Sequence, residues 1–210
     1  MKLLSADFVT SAAAGGRADG IPHDGLAQVA LAGRSNVGKS SLINALSRAK
    51  IARTSAAPGK TRLANIYRVA VEGGAGGPGR WSAYFVDLPG YGYARGGGSS
   101  ADELRAVAEA YFRGVDPAAR RVAFLLVDSR HPDLESDVAA VRWLDGLNVT
   151  RHIVATKIDK LSRAERARNL RTIGDVFGMA AVPVSVTSGE GLDALWTMIA
   201  RLARDVAPRG

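Results

Sequence analysis

The chain reads as an α/β fold in three layers: a mostly parallel six-stranded sheet with one antiparallel edge strand and helices on both faces. Three observations predict it. Strand-like and helix-like runs alternate along the 210 residues. The run Arg121–Val127 is nearly continuously apolar after its first residue, as a strand covered on both faces should be. Two strand-like runs, Leu63–Val71 and Trp81–Asp87, follow each other with no helix between them, which predicts an antiparallel hairpin.

The elements follow in order. Residues 1–24 read as a lead-in strand around Asp7–Thr10 and then a loop. Gln28–Ala32 is the next strand, and Lys39–Arg48 the first helix. The hairpin strands are joined by Gly73-Gly74-Ala75-Gly76-Gly77-Pro78-Gly79, a flexible turn rather than a domain linker. Ala101–Gly114, Leu134–Gly146, Ser162–Phe177 and Gly191–Asp205 are helices, separated by the strands Arg121–Asp128, Arg151–Thr156 and Ala180–Ser185. Ser100-x-x-Glu103 and Ser162-x-x-Glu165 have capping-box spacing. This predicts one domain over 25–205, with a frayed end at 206–210.

Composition limits the function classes. An apolar content of 47% suits a packed domain. The absence of cysteine excludes a disulfide framework, thiolate chemistry and Cys-based metal sites, and fits a cytoplasmic setting. The apolar run Val122–Val127 is far too short to span a bilayer, so no membrane partner is expected. Asp7 interrupts the apolar start, which argues against a signal peptide. The net charge is +8, and its distribution says more than its size. No acid occurs from Gly25 to Val71, a stretch holding Arg34, Lys39, Arg48, Lys50, Arg53, Lys60, Arg62 and Arg68. That is either a footprint for a nucleic-acid backbone or a basic solvated surface.

Gly33-Arg34-Ser35-Asn36-Val37-Gly38-Lys39-Ser40 fits the phosphate-loop pattern G-x-x-x-x-G-K-[ST] between a strand and a helix. Its amides, with Ser41 in the first helical turn, suit a polyphosphate. Lys39 can reach the outer phosphates, and Ser40 can ligate Mg²⁺. Asp87-Leu88-Pro89-Gly90 ends an apolar strand: Asp87 can hold a water on Mg²⁺, and Gly90 can offer its N–H to a terminal phosphate. In Pro58-Gly59-Lys60-Thr61, Thr61 can complete the metal shell. Thr156-Lys157-Ile158-Asp159 selects the base. Guanine presents two adjacent N–H donors to one carboxylate, whereas adenine would leave Asp159 facing a lone pair at a cost of ~1.5–3 kcal/mol or more. Ser185-Val186-Thr187 ends the last strand, where a backbone amide could meet the guanine oxygen.

Together these strings resemble the EngB (YihA-type) family of TrmE-Era-like bacterial GTPases, over about Ala6 to Leu202. The resemblance is carried by the phosphate loop through Asn44, by Pro58-Gly59-Lys60-Thr61, and by Asp87-Leu88-Pro89-Gly90-Tyr91-Gly92-Tyr93-Ala94. Asp128-x-Arg130-His131-Pro132 and Thr156-Lys157-x-Asp159-Lys160 add to it. The family usually has Asn at position 156, Gln or a similar residue at 62 and Ser at 186, where this chain has Thr, Arg and Val. The resemblance implies a P-loop GTPase that binds GTP and GDP with Mg²⁺. It also implies action on the large ribosomal subunit precursor and its rRNA, and a need for the protein in normal cell division and septation.

Tyr91 stands where many small GTPases place a water-orienting Gln, so the isolated protein, expected to be a monomer, should hydrolyse GTP slowly. Asn36 resembles an Asn that binds K⁺ in relatives, so K⁺ is one source of compensating charge beside Lys39, Thr61 and Gly90. Arg62 and Arg95 are alternatives. Two rival readings stand: a phosphate-loop kinase, against which Asp159 argues, and an RNA-binding assembly module whose GTP is structural and not hydrolysed.

Overall fold

The computed structural model describes residues 1–12, 20–53, 63–91, 99–114 and 120–204, with the backbone alone for 99–104. The strands are β1 (Lys2–Ala12), β2 (Ala27–Gly33), β3 (Ala64–Glu72), β4 (Arg80–Asp87), β5 (Arg121–Asp128), β6 (Arg151–Thr156) and β7 (Val182–Pro183). The helices are α1 (Lys39–Ser47), α2 (Ser99–Arg113), α3 (Glu135–Gly146), α4 (Arg163–Phe177) and α5 (Leu192–Arg204). One sheet runs β1-β3-β4-β2-β5-β6-β7, parallel from β4 to β7 and antiparallel at β1·β3 and β3·β4.

Strand periodicity sorts the core into two layers. Val29 and Leu31 of β2, with Val122, Phe124 and Leu126 of β5, pack against Leu42 and Ile43 of α1 and Leu195, Trp196 and Ile199 of α5. The alternate residues, Ala30, Ala32, Ala123, Leu125 and Val127, meet Tyr111 and Phe112 of α2, Leu144 of α3, and Ile173 and Phe177 of α4. Burying each large apolar side chain contributes about 1.5–3 kcal/mol. Trp81 and Trp196 sit edge to face at 6.1 Å, as core residues rather than exposed stacking platforms.

The sheet has seven strands rather than the expected six, because the lead-in segment is a full strand. It pairs with β3 from Lys2↔Glu72 to Ala12↔Ala64. The antiparallel strand β3 is therefore second from the edge. Register shifts between Leu3 and Ser5 and between Phe8 and Thr10 break the period-two pattern, so the sequence shows only part of β1. At the other edge β7 keeps two residues of the expected Ala180–Ser185. Pro183 has no N–H to give, and pairing is limited to Val154↔Val182 and Ala155↔Pro183.

The glycine-rich hairpin turn forms as expected, closed by Gly73 N–H to Gly79 O at 2.9 Å. It is also tied down: the Arg204 guanidinium donates to Gly73 O at 3.1 Å and to Gly79 O and Pro78 O at 3.3 Å. The Ser162–Glu165 capping box is present at the start of α4. Ser100 lies inside α2, which already begins at Ser99, so it does not stand ahead of the helix as a cap would.

Candidate functional site

The carboxyl ends of the parallel strands β2, β4, β5 and β6 bring Gly33, Asp87, Asp128 and Thr156 to one rim of the sheet. Clefts outside such strand ends are where open α/β sheets take ligands. The loop from β2 curls through Asn36, at φ 63°, to Gly38, which precedes α1. At Gly33, φ 149°, a Cβ would lie 2.8 Å from Leu126 O, so a side chain there would drive the loop off β5.

The phosphate end is buried. Lys39, 7% exposed, donates from Nζ to Gly33 O at 2.9 Å and Arg34 O at 3.0 Å. Burial lowers its pKa to about 8, partly opposed by the charge of Asp87. Ser40 Oγ donates to Asp87 Oδ2 at 2.6 Å. Asp87 is 2% exposed, and its Oδ1 lacks a partner among the described residues. Burial pushes its carboxyl up, against the pull of Lys39 and the Ser40 hydrogen bond. An unpartnered buried carboxylate oxygen beside a hydroxyl is a hard-oxygen donor pair that fits Mg²⁺. Among the described residues no group of three or more His, Asp or Glu could hold a metal, so further ligands would have to be phosphate, water or other groups. Gly90 lies against the loop: a Cβ there would be 2.8 Å from both Lys39 Nζ and Ser35 N.

The other end is nearer the surface. Thr156 Oγ1 donates to Val37 O at 2.9 Å, with Val127 O at 3.2 Å, so β6 braces the phosphate loop. Lys157, at φ 60°, extends along the site and donates from Nζ to Asn36 O at 2.8 Å and Asp128 Oδ2 at 2.9 Å. Asp159 sits in the 3-10 turn Ile158–Lys160 and accepts at Oδ1 from Ser185 Oγ at 2.7 Å. That hydrogen bond lowers its carboxyl from the usual value. The Ser185 N–H donates to Glu190 O at 3.0 Å, so an amide for a base oxygen would have to come from exposed Val186 or Thr187.

The structure therefore gathers Gly33 through Ser41, Asp87 through Gly90, Thr156 through Asp159 and Ser185 through Thr187 on one rim. Gly59, Lys60, Thr61, Arg62 and Arg95 lie outside the described residues.

For three residues that the sequence strings include, the contacts were not legible. Asp128 clamps Lys157 and is itself gripped by Arg130, whose Nε and Nη2 donate at 2.9 and 2.7 Å. Burial works against the Asp128 charge, but the Arg130 and Lys157 hydrogen bonds outweigh it and hold the carboxyl well below the usual range. Its signal is an acid at a strand's carboxyl end, the same signal that marks Asp87. Asn44 holds the chain after α1 at two points, donating to Ala52 O and accepting from Ala52 N–H, each at 2.8 Å. Tyr91 Oη donates to Asp137 Oδ1 of α3 at 2.9 Å; no sequence pattern links those two positions.

Known proteins resemble this chain in sequence and in fold. A family described as 50S ribosome-binding GTPase matches residues 28–158. A probable GTP-binding protein EngB from Anaeromyxobacter sp. (strain K) is 39% identical over 209 residues, 98% of this chain and 94% of its own. The crystal structure of a probable GTP-binding protein EngB superposes with TM-score 0.62 at 22% identity, over 85% of this chain and all of that one. Era in complex with MgGDPNP and a segment of 16S ribosomal RNA gives TM-score 0.65 at 24% identity, over 88% of this chain and 57% of that one. At those identities the two structures speak to the fold.

Proposed function

This chain belongs to the EngB family of GTP-binding proteins, a GTPase family, and on that premise we propose that it is a Mg²⁺-dependent GTPase of low intrinsic rate that acts as a switch in assembly of the large ribosomal subunit. The observation that carries the reading is the pair of buried charges Lys39 and Asp87 with the half-buried Ser40 hydroxyl on Asp87, whose other oxygen is unpartnered among the described residues. In this reading residues Gly33 through Ser41 and Gly90 hold the phosphates, and Ser40, Asp87 and Thr61 serve the metal. Asp159 takes the two guanine donors, while Lys157 lies along the base. Bound Mg²⁺ would supply positive charge against the phosphates. Residues 25–205 form one GTPase domain in this reading, in a cytoplasmic monomer.

Slow turnover is supported by Tyr91, whose hydroxyl is engaged by Asp137 instead of facing the phosphate loop. K⁺ near Asn36 remains the proposed source of extra charge; equal turnover in KCl and NaCl would rule it out. The ribosomal role is supported by the family description and by exposed Arg48, Lys50 and Arg53, which lead away from α1. A GTP-ordered segment over 49–61 would present them to rRNA phosphates, and loss of the third phosphate would release it. The link to cell division and septation rests on the family resemblance alone.

The test is co-sedimentation with large-subunit precursors in GTP, in GDP and without nucleotide. Salt-sensitive binding that is strongest in GTP is expected, and binding indifferent to nucleotide would refute the switch. The second reading, an assembly module with unhydrolysed GTP, is favoured by the same Tyr91 geometry. It predicts no single-turnover hydrolysis even with precursor present.

A further inference from the structure

The backbone after β4 lies across the phosphate loop. Ser35 N–H donates to Tyr91 O at 3.0 Å, Ser35 Oγ approaches Gly90 O at 3.4 Å, and Arg34 and Tyr91 form an isolated parallel bridge. Gly90 lies so close to Lys39 Nζ and Ser35 N that no side chain fits there. Lys39 Nζ is turned onto Gly33 O and Arg34 O. A loop amide and the loop ammonium, donors suited to a terminal phosphate, thus already have partners. On the site reading above the Gly90 N–H serves a terminal phosphate, so a Gly90 held against Ser35 and Lys39 bears on a triphosphate more than on a diphosphate.

The side chain of Tyr91 fastens this arrangement. Its hydroxyl donates to Asp137 Oδ1 of α3 at 2.9 Å, and its half-buried ring packs against the core on that face of the sheet. Asp137 is 0% exposed, and its Oδ2 has no partner among the described residues. Arg34 and Asp128 are the other charges that act on it. A buried carboxylate with one strong side-chain donor has much to lose when that donor leaves.

We propose that Asp137 is a positioning residue: by holding the Tyr91 hydroxyl it keeps Gly90–Tyr91 across the phosphate loop and sets the preference for nucleoside diphosphate over triphosphate. The inference rests on the nucleotide-site reading above and assigns its discrimination to a helix outside the loop. Triphosphate binds the fraction of molecules in which this segment has lifted, so its apparent affinity falls by that fraction.

The experiment is calorimetric titration of the full chain with GDP and with the non-hydrolysable analogue GDPNP, both with Mg²⁺. Tyr91→Phe removes the donor, and Asp137→Ala removes the acceptor. Each should tighten GDPNP about tenfold while leaving GDP within about twofold, and the double variant should gain no more than either single one. A merely structural role would move both nucleotides together. Should Asp137→Ala not fold, Tyr91→Phe carries the test alone. An unchanged GDPNP-to-GDP ratio in Tyr91→Phe, or weaker GDPNP with GDP retained, overturns the inference. Failure of the unaltered chain to bind either nucleotide overturns the site reading instead.

Discussion

Asp87 and Asp159 are both carboxylates on one rim, yet their surroundings push them in opposite directions. Asp87 is almost fully buried and its pKa is raised. Asp159 keeps a side chain 20% exposed, and the Ser185 hydroxyl lowers its pKa. Burial without full pairing leaves an anion that gains from a hard cation. Hydrogen bonding near water keeps a carboxylate ionised and ready for N–H donors. The proposed phosphate end is thus built on desolvation and the proposed base end on a positioned hydrogen bond.

That contrast breaks first at the phosphate end. Lys39→Ala removes a buried cation and should weaken both GDP and GDPNP at least about hundredfold, read by titration with a fluorescent guanine nucleotide. Retained affinity would show that the desolvated ammonium does not hold phosphate.

The base end should respond in kind rather than only in strength. Asp159→Asn should cost guanosine nucleotides roughly tenfold to hundredfold while improving xanthosine nucleotides, measured by competition. Ser185→Ala should keep guanine preference but weaken it about threefold to tenfold, the size of one hydrogen bond. Equal losses for both purines in Asp159→Asn would mean that the carboxylate does not read the base.

The smallest effect belongs to the clamp joining the two ends. Asp128→Asn leaves Lys157 and Arg130 without their anion. Both side chains are partly exposed, so the cost at neutral pH should be only about 1 kcal/mol in urea unfolding. The Asp128 pKa is depressed in the fold. Its stabilisation is therefore complete above the ordinary carboxylate range and is lost as pH falls below it, toward the folded value. The gap between wild type and variant should narrow in acid, and a gap independent of pH would remove Asp128 from the clamp.

The candidate site was legible wherever spacing and chemistry coincide in a short string. The phosphate loop, Asp87 through Gly90 and Thr156 through Asp159 each carry their own strand end or turn. The Tyr91–Asp137 bond spans two elements far apart in sequence, and neither residue's neighbours announce the other. The Ser185 hydroxyl, read as backbone only, acts on Asp159 across a separation of 26 residues that no local pattern announces.

Local pattern alone settles which elements form and in which order, because periodicity, glycine placement and apolar runs act through neighbours along the chain. It also carries the proposed assignment of residue types to phosphate, metal and base. Packing decides the rest: the seventh strand at the edge, the pKa of Lys39 and Asp87, and the partner of Tyr91. Those follow from burial and from contacts between distant segments, which exist only once the sheet and both helical layers close around them.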